Sequence, residues 1–123
     1  MLLSIQGVSK TYKKGKVRAL DNLSLELTPG VYGLLGPNGA GKSTLMNIIT
    51  DSIQPDCGRV LYNGVEISKL GREFRAVLGY MPQNQRLYDS FTAARFLLYV
   101  AALKGLPKKL AKQRVEEMLE LVN

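Results

Sequence analysis

Hydrophobic and polar positions alternate early in the chain in a way that predicts short β-strands. Leu3, Ile5 and Val8 lie among polar residues and indicate a first strand, and residues 23–27 alternate with a period of two. Pro29-Gly30 then predicts a turn. The nearly all-apolar run at residues 31–35 is typical of a strand buried on both faces, as in a parallel sheet.

The spacing changes after residue 41. Apolar residues at 45, 46, 48 and 49 predict a helix, and residues 60–67 predict a β-hairpin around Asn63-Gly64, because a type I′ turn needs positive φ at both central positions. A short helix is predicted at residues 70–76. A further strand is predicted at residues 77–81, ended by Pro82.

The last third of the chain has helical spacing throughout. One helix is predicted from Thr92 to about Lys104, and a second begins at Pro107, which suits a first helical turn. In the second helix four apolar residues form one stripe, which we interpret as core packing. They are Ala111, Val115, Met118 and Val122.

A glycine-rich loop between the apolar run and the first helix carries the candidate chemistry. Residues 36–44 read Gly-Pro-Asn-Gly-Ala-Gly-Lys-Ser-Thr, which matches the phosphate-binding loop in full. Its glycines let backbone N–H groups approach phosphates, and the following helix directs its N-terminus at the anion. Lys42 supplies a cation, Ser43 a hydroxyl for Mg²⁺, and Thr44 a further phosphate contact. The alternative, a glycine-rich turn without a ligand, is disfavoured by the flanking strand and helix.

Composition and charge leave several partners open. The chain has 123 residues, one cysteine, no histidine and a net charge of +7. The basic residues concentrate in residues 10–18 and 104–114, which suggests either two solvated faces or a nucleic-acid, phosphate or membrane-surface partner. Because Cys57 is the single cysteine of the sequence, an internal disulfide is excluded, which is compatible with a reducing compartment. We expect a soluble protein, because no apolar run is long enough to span a bilayer.

Beyond the generic loop pattern, the sequence resembles the ATP-binding subunit of an ABC transporter. The resemblance rests on residues 33–45, with Pro37, Asn38 and Ala40 inside the loop. It continues through Pro55-Asp56-Cys57-Gly58 and Asn63-Gly64 to residues 79–83, which resemble the family's Q-loop. It implies an α/β fold of the P-loop NTPase class, with an N-terminal antiparallel β-subdomain, an incomplete parallel core and the start of a helical subdomain.

The resemblance also implies site residues. ATP and Mg²⁺ would be the ligands, and the loop would bind the phosphates through Gly36, Asn38, Gly39, Ala40, Gly41, Lys42, Ser43 and Thr44. Gln83 matches the glutamine that reaches Mg²⁺ and the attacking water. Tyr12 matches the aromatic ring that stacks on adenine, and Val17 would pack beside the base.

The same resemblance implies partners and a location. Residues 84 to 91, from Asn84 to Phe91, would receive a transmembrane permease subunit. A second ATP-binding subunit would complete a dimer at the cytoplasmic face of the plasma membrane. The alternative is a soluble ABC-type ATPase that acts on ribosomes or nucleic acid.

Several motifs of the family are absent from these 123 residues: the Leu-Ser-Gly-Gly-Gln signature, the apolar strand ending in Asp-Glu, and the switch histidine. The sequence is therefore expected to represent the first half of such a subunit. Residues 1–83 would form the β-subdomain and loop core, and residues 84–123 the Q-loop and the beginning of the helical subdomain. We expect ATP binding without hydrolysis. We also expect a marginally stable or self-associating chain, because a buried strand would lose its neighbours.

Overall fold

A computed structural model describes residues 1–12, 15–83 and 90–122. The chain divides into two compact units, Met1–Tyr80 and Met81–Asn123, which are described separately. Within the described ranges, no helix has both the length and the apolar character needed to cross a membrane.

A four-stranded antiparallel sheet forms the base of the first unit. Its strands are β1 (Leu3–Tyr12), β2 (Val17–Leu27), β3 (Cys57–Tyr62) and β4 (Val65–Glu66). Their order across the sheet is β2-β1-β3-β4, so β1 lies between two antiparallel neighbours. The predicted antiparallel N-terminal subdomain is therefore confirmed, and β1 and β2 extend beyond the alternating residues that indicated them.

The Asn63-Gly64 turn joins β3 to β4 as predicted. Both residues have positive φ, 49° and 83°, and Tyr62 pairs with Val65 across the turn. The hairpin is shorter than predicted, because Ile67 begins a helix and buries its side chain in the core instead of extending β4.

Three helices pack with this sheet: α1 (Lys42–Ile49), α2 (Ile67–Leu70) and α3 (Arg72–Val77). Gly71, with φ 51°, separates α2 from α3, so the helix predicted at residues 70–76 is interrupted near its start. The core consists of buried aliphatic side chains from β1 to β3, α1 and α2, closed by one aromatic ring of α3. It comprises Ile5, Val8, Leu20, Leu45, Ile48, Val60, Ile67 and Phe74.

Two predicted strands are wrong. Residues 31–35 form no strand, and Val31 and Leu35 are 104% and 93% exposed. At residues 77–81, Val77 instead completes α3 and the next four residues form no strand. Both runs have strand-like composition, but a strand forms only where a neighbour accepts its backbone hydrogen bonds. In the described ranges, neither run is paired with another strand.

The second unit contains α4 (Ala93–Leu103) and α5 (Lys108–Leu121). Thr92 caps α4, because its hydroxyl accepts a hydrogen bond from the Arg95 N–H at 3.3 Å. Pro107 stands at the N-cap position of α5, so the helix begins at Lys108, one residue after the predicted start. Both helices therefore lie close to their predicted bounds.

The apolar stripe of α5 packs only in its first half. Ala111 and Val115 are buried, whereas Met118 and Val122 are exposed, and Val122 lies beyond the last helical residue. The prediction that all four residues form core is therefore wrong for the last two. Helical spacing identifies one face of a helix, but not how far a neighbouring element covers it.

Candidate phosphate-binding loop

The glycine-rich loop ends on a left-handed residue that begins α1. Gly41 has φ 81° and ψ 4° and occupies the N-cap position, and its carbonyl accepts the Leu45 N–H at 2.9 Å. Earlier in the loop the Ala40 N–H donates to the Pro37 carbonyl at 3.2 Å. The first N–H groups of α1 have no intrahelical acceptor, so the helix directs unpaired donors and a positive dipole end toward an anion.

Gly41 is also required by a close contact with β2. A Cβ built on Gly41 would lie 2.2 Å from the carbonyl oxygen of Ala19 and 3.0 Å from Cδ2 of Leu20. Real Cβ atoms do not approach backbone oxygens this closely, and a positive φ is unfavourable for any residue with a Cβ. The contact places the start of α1 directly against β2.

The Lys42 ammonium lies across the loop. Its Nζ donates to the carbonyls of Gly36 at 2.5 Å and Pro37 at 2.7 Å. The side chain therefore already reaches over the concave backbone into which phosphates would fit. Phosphate oxygens are stronger acceptors for an ammonium than neutral carbonyls are, so they would compete well for these donors.

The remaining loop residues are accessible to a ligand. Asn38, Gly39, Ala40 and Ser43 are exposed, and Thr44 is half-buried on the first turn of α1. Gly39 has φ 88°, and a Cβ there would meet no atom within 4 Å, so its glycine serves backbone conformation alone. Ser43 presents a hydroxyl beside the loop, which is the kind of single protein ligand that Mg²⁺ accepts together with phosphate oxygens. The residues present thus fit a magnesium-bound polyphosphate.

Tyr12 and Val17, the two residues that the resemblance assigns to the base, lie side by side in the sheet. They are paired residues at the end of the β1–β2 hairpin, and their side chains are 39% and 45% exposed. Val17 is two residues from Ala19, whose carbonyl touches Gly41. Val17 therefore lies on the strand that contacts the phosphate loop, and Tyr12 lies on its neighbour.

Gln83 belongs to the second unit. It is exposed and lies in a bend that follows Pro82. Residues 84–89 of the predicted permease surface lie outside the described residues. Phe91, the last residue of that surface, packs against α4: its ring meets Tyr99 edge-on at 6.2 Å, and the Arg95 guanidinium lies 5.0 Å from its centroid.

Sequence reasoning missed Asp56, whose side chain is bonded to the end of β1. Its carboxylate accepts the Lys10 ammonium at 2.8 Å and the Thr11 N–H at 2.7 Å. These bonds lower the pKa of Asp56 below its ordinary value of 3.8, the Lys10 hydrogen bond being the larger cause and the Thr11 N–H the second. The partners are 45 and 46 residues away in sequence, so no local pattern indicated them.

The glycine-rich loop leads into the N-terminus of α1, Lys42 is hydrogen-bonded to the loop carbonyls, and β2 packs against Gly41. Together with the sequence pattern, these features define a P-loop nucleotide-binding protein. A narrower assignment comes from known proteins. The sequence profile of the family described as ABC transporter matches residues 20–123. The chain belongs to this family, and its predicted fold class is confirmed.

Individual relatives support the same family assignment. The chain is 36% identical over 121 residues to the doxorubicin resistance ATP-binding protein DrrA of Mycobacterium tuberculosis, covering 98% of this chain and 37% of that protein. It is 37% identical over 127 residues to the methionine import ATP-binding protein MetN of Carboxydothermus hydrogenoformans, covering 98% and 38%. The chain thus spans little more than a third of these relatives.

Solved structures show the same fold. The dimeric structure of MJ0796, a bacterial ABC transporter cassette, superposes with a TM-score of 0.81 at 27% identity, covering 96% of this chain and 56% of that one. A post-hydrolysis state of the same cassette, bound to ADP and Pi, gives a TM-score of 0.80.

Proposed function

We propose that this chain binds ATP with Mg²⁺ as the N-terminal part of the nucleotide-binding subunit of an ABC transporter. One observation carries the proposal: Lys42 reaches over a loop whose last glycine is locked against β2 at the start of α1. This arrangement supplies backbone donors, a helix dipole and a cation at one place, which is what a polyphosphate requires.

The loop residues have distinct roles in the proposal. Backbone N–H groups of residues 38–44 surround the phosphates, and Lys42 exchanges its two carbonyl acceptors for β- and γ-phosphate oxygens. Ser43 offers its hydroxyl to Mg²⁺, and Thr44 adds a phosphate contact. When bound, Mg²⁺ neutralises part of the charge on the terminal phosphates. Tyr12 stacks on the adenine, and Val17 packs at its edge.

The proposal for Gln83 rests on the family motif and on its exposed amide. An amide oxygen is a suitable ligand for a hard cation, so Gln83 is proposed as a Mg²⁺ ligand and as the residue that orients the attacking water. The chain alone is proposed to bind ATP without hydrolysing it, because no general base accompanies the phosphate loop in these 123 residues.

A transporter role is favoured by DrrA and MetN, whose names describe doxorubicin resistance and methionine import. These relatives are about equally identical to this chain, yet their names describe different cargos. We infer that the segment they share with this chain does not select the cargo. We propose a transmembrane subunit as partner through residues 84–91, a second ATP-binding subunit in the assembly, and a location at the cytoplasmic membrane face.

The test is equilibrium binding of ATP by calorimetry, with Mg²⁺ and with excess chelator, together with an assay of phosphate release. The proposal predicts tighter binding with Mg²⁺, a smaller Mg²⁺ effect in Ser43→Ala, and no phosphate release above background. Equal affinity for ATP with and without Mg²⁺ would contradict the proposed role of Ser43. Phosphate release that disappears in Lys42→Ala would contradict binding without turnover.

A further inference from the structure

We propose that Asp56, bonded to Lys10, is a positioning residue for the nucleobase, because it fixes the strand end on which Tyr12 stands. This inference rests on the proposed ATP binding and assigns a function to a carboxylate outside the phosphate loop. The residues concerned are the last four of β1 and the turn that precedes β3.

The sheet holds the end of β1 from one side only. The pairing of β1 with β3 ends at Ser9, opposite Cys57, whereas β2 continues as far as Tyr12. The register with β2 is also irregular here, with a shift between Lys10 and Thr11. Among the residues that the structure describes, the strand segment that leads to Tyr12 therefore has no strand neighbour on its β3 side.

Asp56 bonds to this side in place of a strand. Its own N–H donates to the Ser9 carbonyl at 2.9 Å, and its carboxylate accepts the Thr11 N–H at 2.7 Å. The second carboxylate oxygen accepts Lys10 Nζ at 2.8 Å, and the same ammonium donates to the Gln54 carbonyl at 2.8 Å. Three consecutive residues of β1 are thus held by one turn, which we call the Asp56 clasp.

The clasp has more hydrogen bonds than a simple surface ion pair. The Lys10 side chain is only 19% exposed, and two of the bonds that Asp56 makes go to backbone groups. Backbone hydrogen bonds fix direction as well as distance. Thr11 is held by its N–H on this side, so the direction of the backbone is fixed at the residue that precedes Tyr12, the last residue of β1.

Base stacking depends on this backbone direction, whereas phosphate binding does not. Tyr12 is half-exposed at the strand end, so its ring is oriented chiefly by its backbone. The phosphate loop is instead anchored through Ala19 and Gly41 on the β2 side. Loss of the clasp should therefore weaken recognition of the base and leave recognition of the triphosphate group unchanged.

The experiment compares ATP with inorganic triphosphate, both with Mg²⁺, by calorimetry on the 123-residue chain. The variants are Asp56→Ala, Lys10→Met, Tyr12→Ala and the double variant Asp56→Ala/Tyr12→Ala. Glu66→Ala serves as the matched control, since Glu66 pairs with an exposed lysine of the same unit at 3.5 Å. Circular dichroism checks that each variant is folded, and Lys10→Met tests the clasp with the Thr11 bond kept.

Asp56→Ala is expected to weaken ATP binding roughly threefold or more, an effect of the size usual for coupling between residues in contact. The affinity for triphosphate should change by no more than about twofold. Lys10→Met should act in the same direction with a smaller effect. The double variant should bind ATP no more weakly than Tyr12→Ala alone, because the clasp acts through that ring.

An equal loss for ATP and triphosphate in the clasp variants would overturn the inference, as would additive losses in the double variant. If wild type binds ATP no better than triphosphate, there is no base contact to position. The inference then fails while the phosphate-loop proposal stands. If wild type binds neither ligand, both fail.

Discussion

The carbonyl oxygen of Ala19 lies 2.2 Å from the position that a Cβ on Gly41 would take. The glycine is therefore required by tertiary packing as well as by its positive φ. Through this contact, the strand that carries Val17 also supports the start of the helix that carries Lys42 and Ser43. The structure in this way joins the proposed base site and the proposed phosphate site through backbone atoms.

Replacing Gly41 by alanine should abolish ATP binding, because either α1 or β2 must move to relieve the clash. The left-handed conformation adds about 1–2 kcal/mol to that disruption. Gly64→Ala is the control: Gly64 also has positive φ, at 83°, but a Cβ there meets no atom within 4 Å. We expect Gly64→Ala to lower the unfolding midpoint in urea and to leave the ATP dissociation constant unchanged. Equal ATP affinity of Gly41→Ala and wild type would show that the contact is dispensable.

Tyr12→Ala should weaken ATP binding by about 1–3 kcal/mol, the usual contribution of one base–aromatic stack. Tyr12→Phe keeps the ring and should bind ATP nearly as wild type does. Affinities from competition with a fluorescent ATP analogue will measure both variants. A Tyr12→Phe variant as weak as Tyr12→Ala would indicate that the phenol, and not the stacked ring, contacts the ligand.

Stability should depend on the charge of Asp56 at acidic pH. The pKa of Asp56 is lower in the folded chain than its ordinary value of 3.8. The folded state therefore stabilises the ionised carboxylate relative to the protonated one. This contribution is complete above the unfolded-state pKa and is lost as the pH falls through the lower folded-state pKa. The stability difference between wild type and Asp56→Asn should therefore be largest near pH 7 and shrink below about pH 4.

Urea unfolding of both proteins at several pH values between 7 and 3 will measure this difference. Glu66→Gln, at a carboxylate for which a neighbouring lysine also lies within 4 Å, provides the comparison. A difference for Asp56→Asn that stays constant down to pH 3 would mean that the carboxylate charge is not what stabilises the clasp.

Self-association should depend on the apolar run at residues 31–35. Val31 is fully exposed, and no strand pairs with the run in the described ranges, so its backbone groups are open to pairing between chains. Val31→Lys should shift the chain toward monomer in sedimentation velocity. Leu121→Lys adds the same charge at another exposed apolar residue and should have less effect. Equal suppression by both variants would indicate a general effect of net charge.

The sequence predicted best those features that are determined by neighbouring residues. The Asn63-Gly64 turn, the start of α1 near Lys42 and the start of α4 near Thr92 all depend on contacts within a few positions. The strands at residues 31–35 and 77–81 were predicted wrongly, because their composition says nothing about whether a partner strand is available. Asp56 was missed for a related reason, since its partners lie more than 40 residues away.

In the candidate site, too, features set by consecutive residues were predicted and features set by distant residues were not. The phosphate loop was recognised from consecutive residues, whereas the contact of Gly41 with Ala19 required the fold. The pairing of Tyr12 with Val17 is likewise a property of the sheet register and not of the sequence around either residue. The roles of Tyr12, Val17 and Gln83 remain predictions from the family resemblance.

The most direct test of the account is the affinity of the chain for Mg²⁺-ATP before and after Lys42→Ala. Lys69→Ala is the matched control, since it removes the same charge from a side chain that is 75% exposed in the same unit. Loss of a charged hydrogen bond costs about 1.5–3 kcal/mol, so Lys42→Ala should weaken binding by at least roughly tenfold. Lys69→Ala should bind as wild type does. ATP affinity unchanged by Lys42→Ala, or lowered equally by both variants, would contradict the assignment of this loop as the phosphate site.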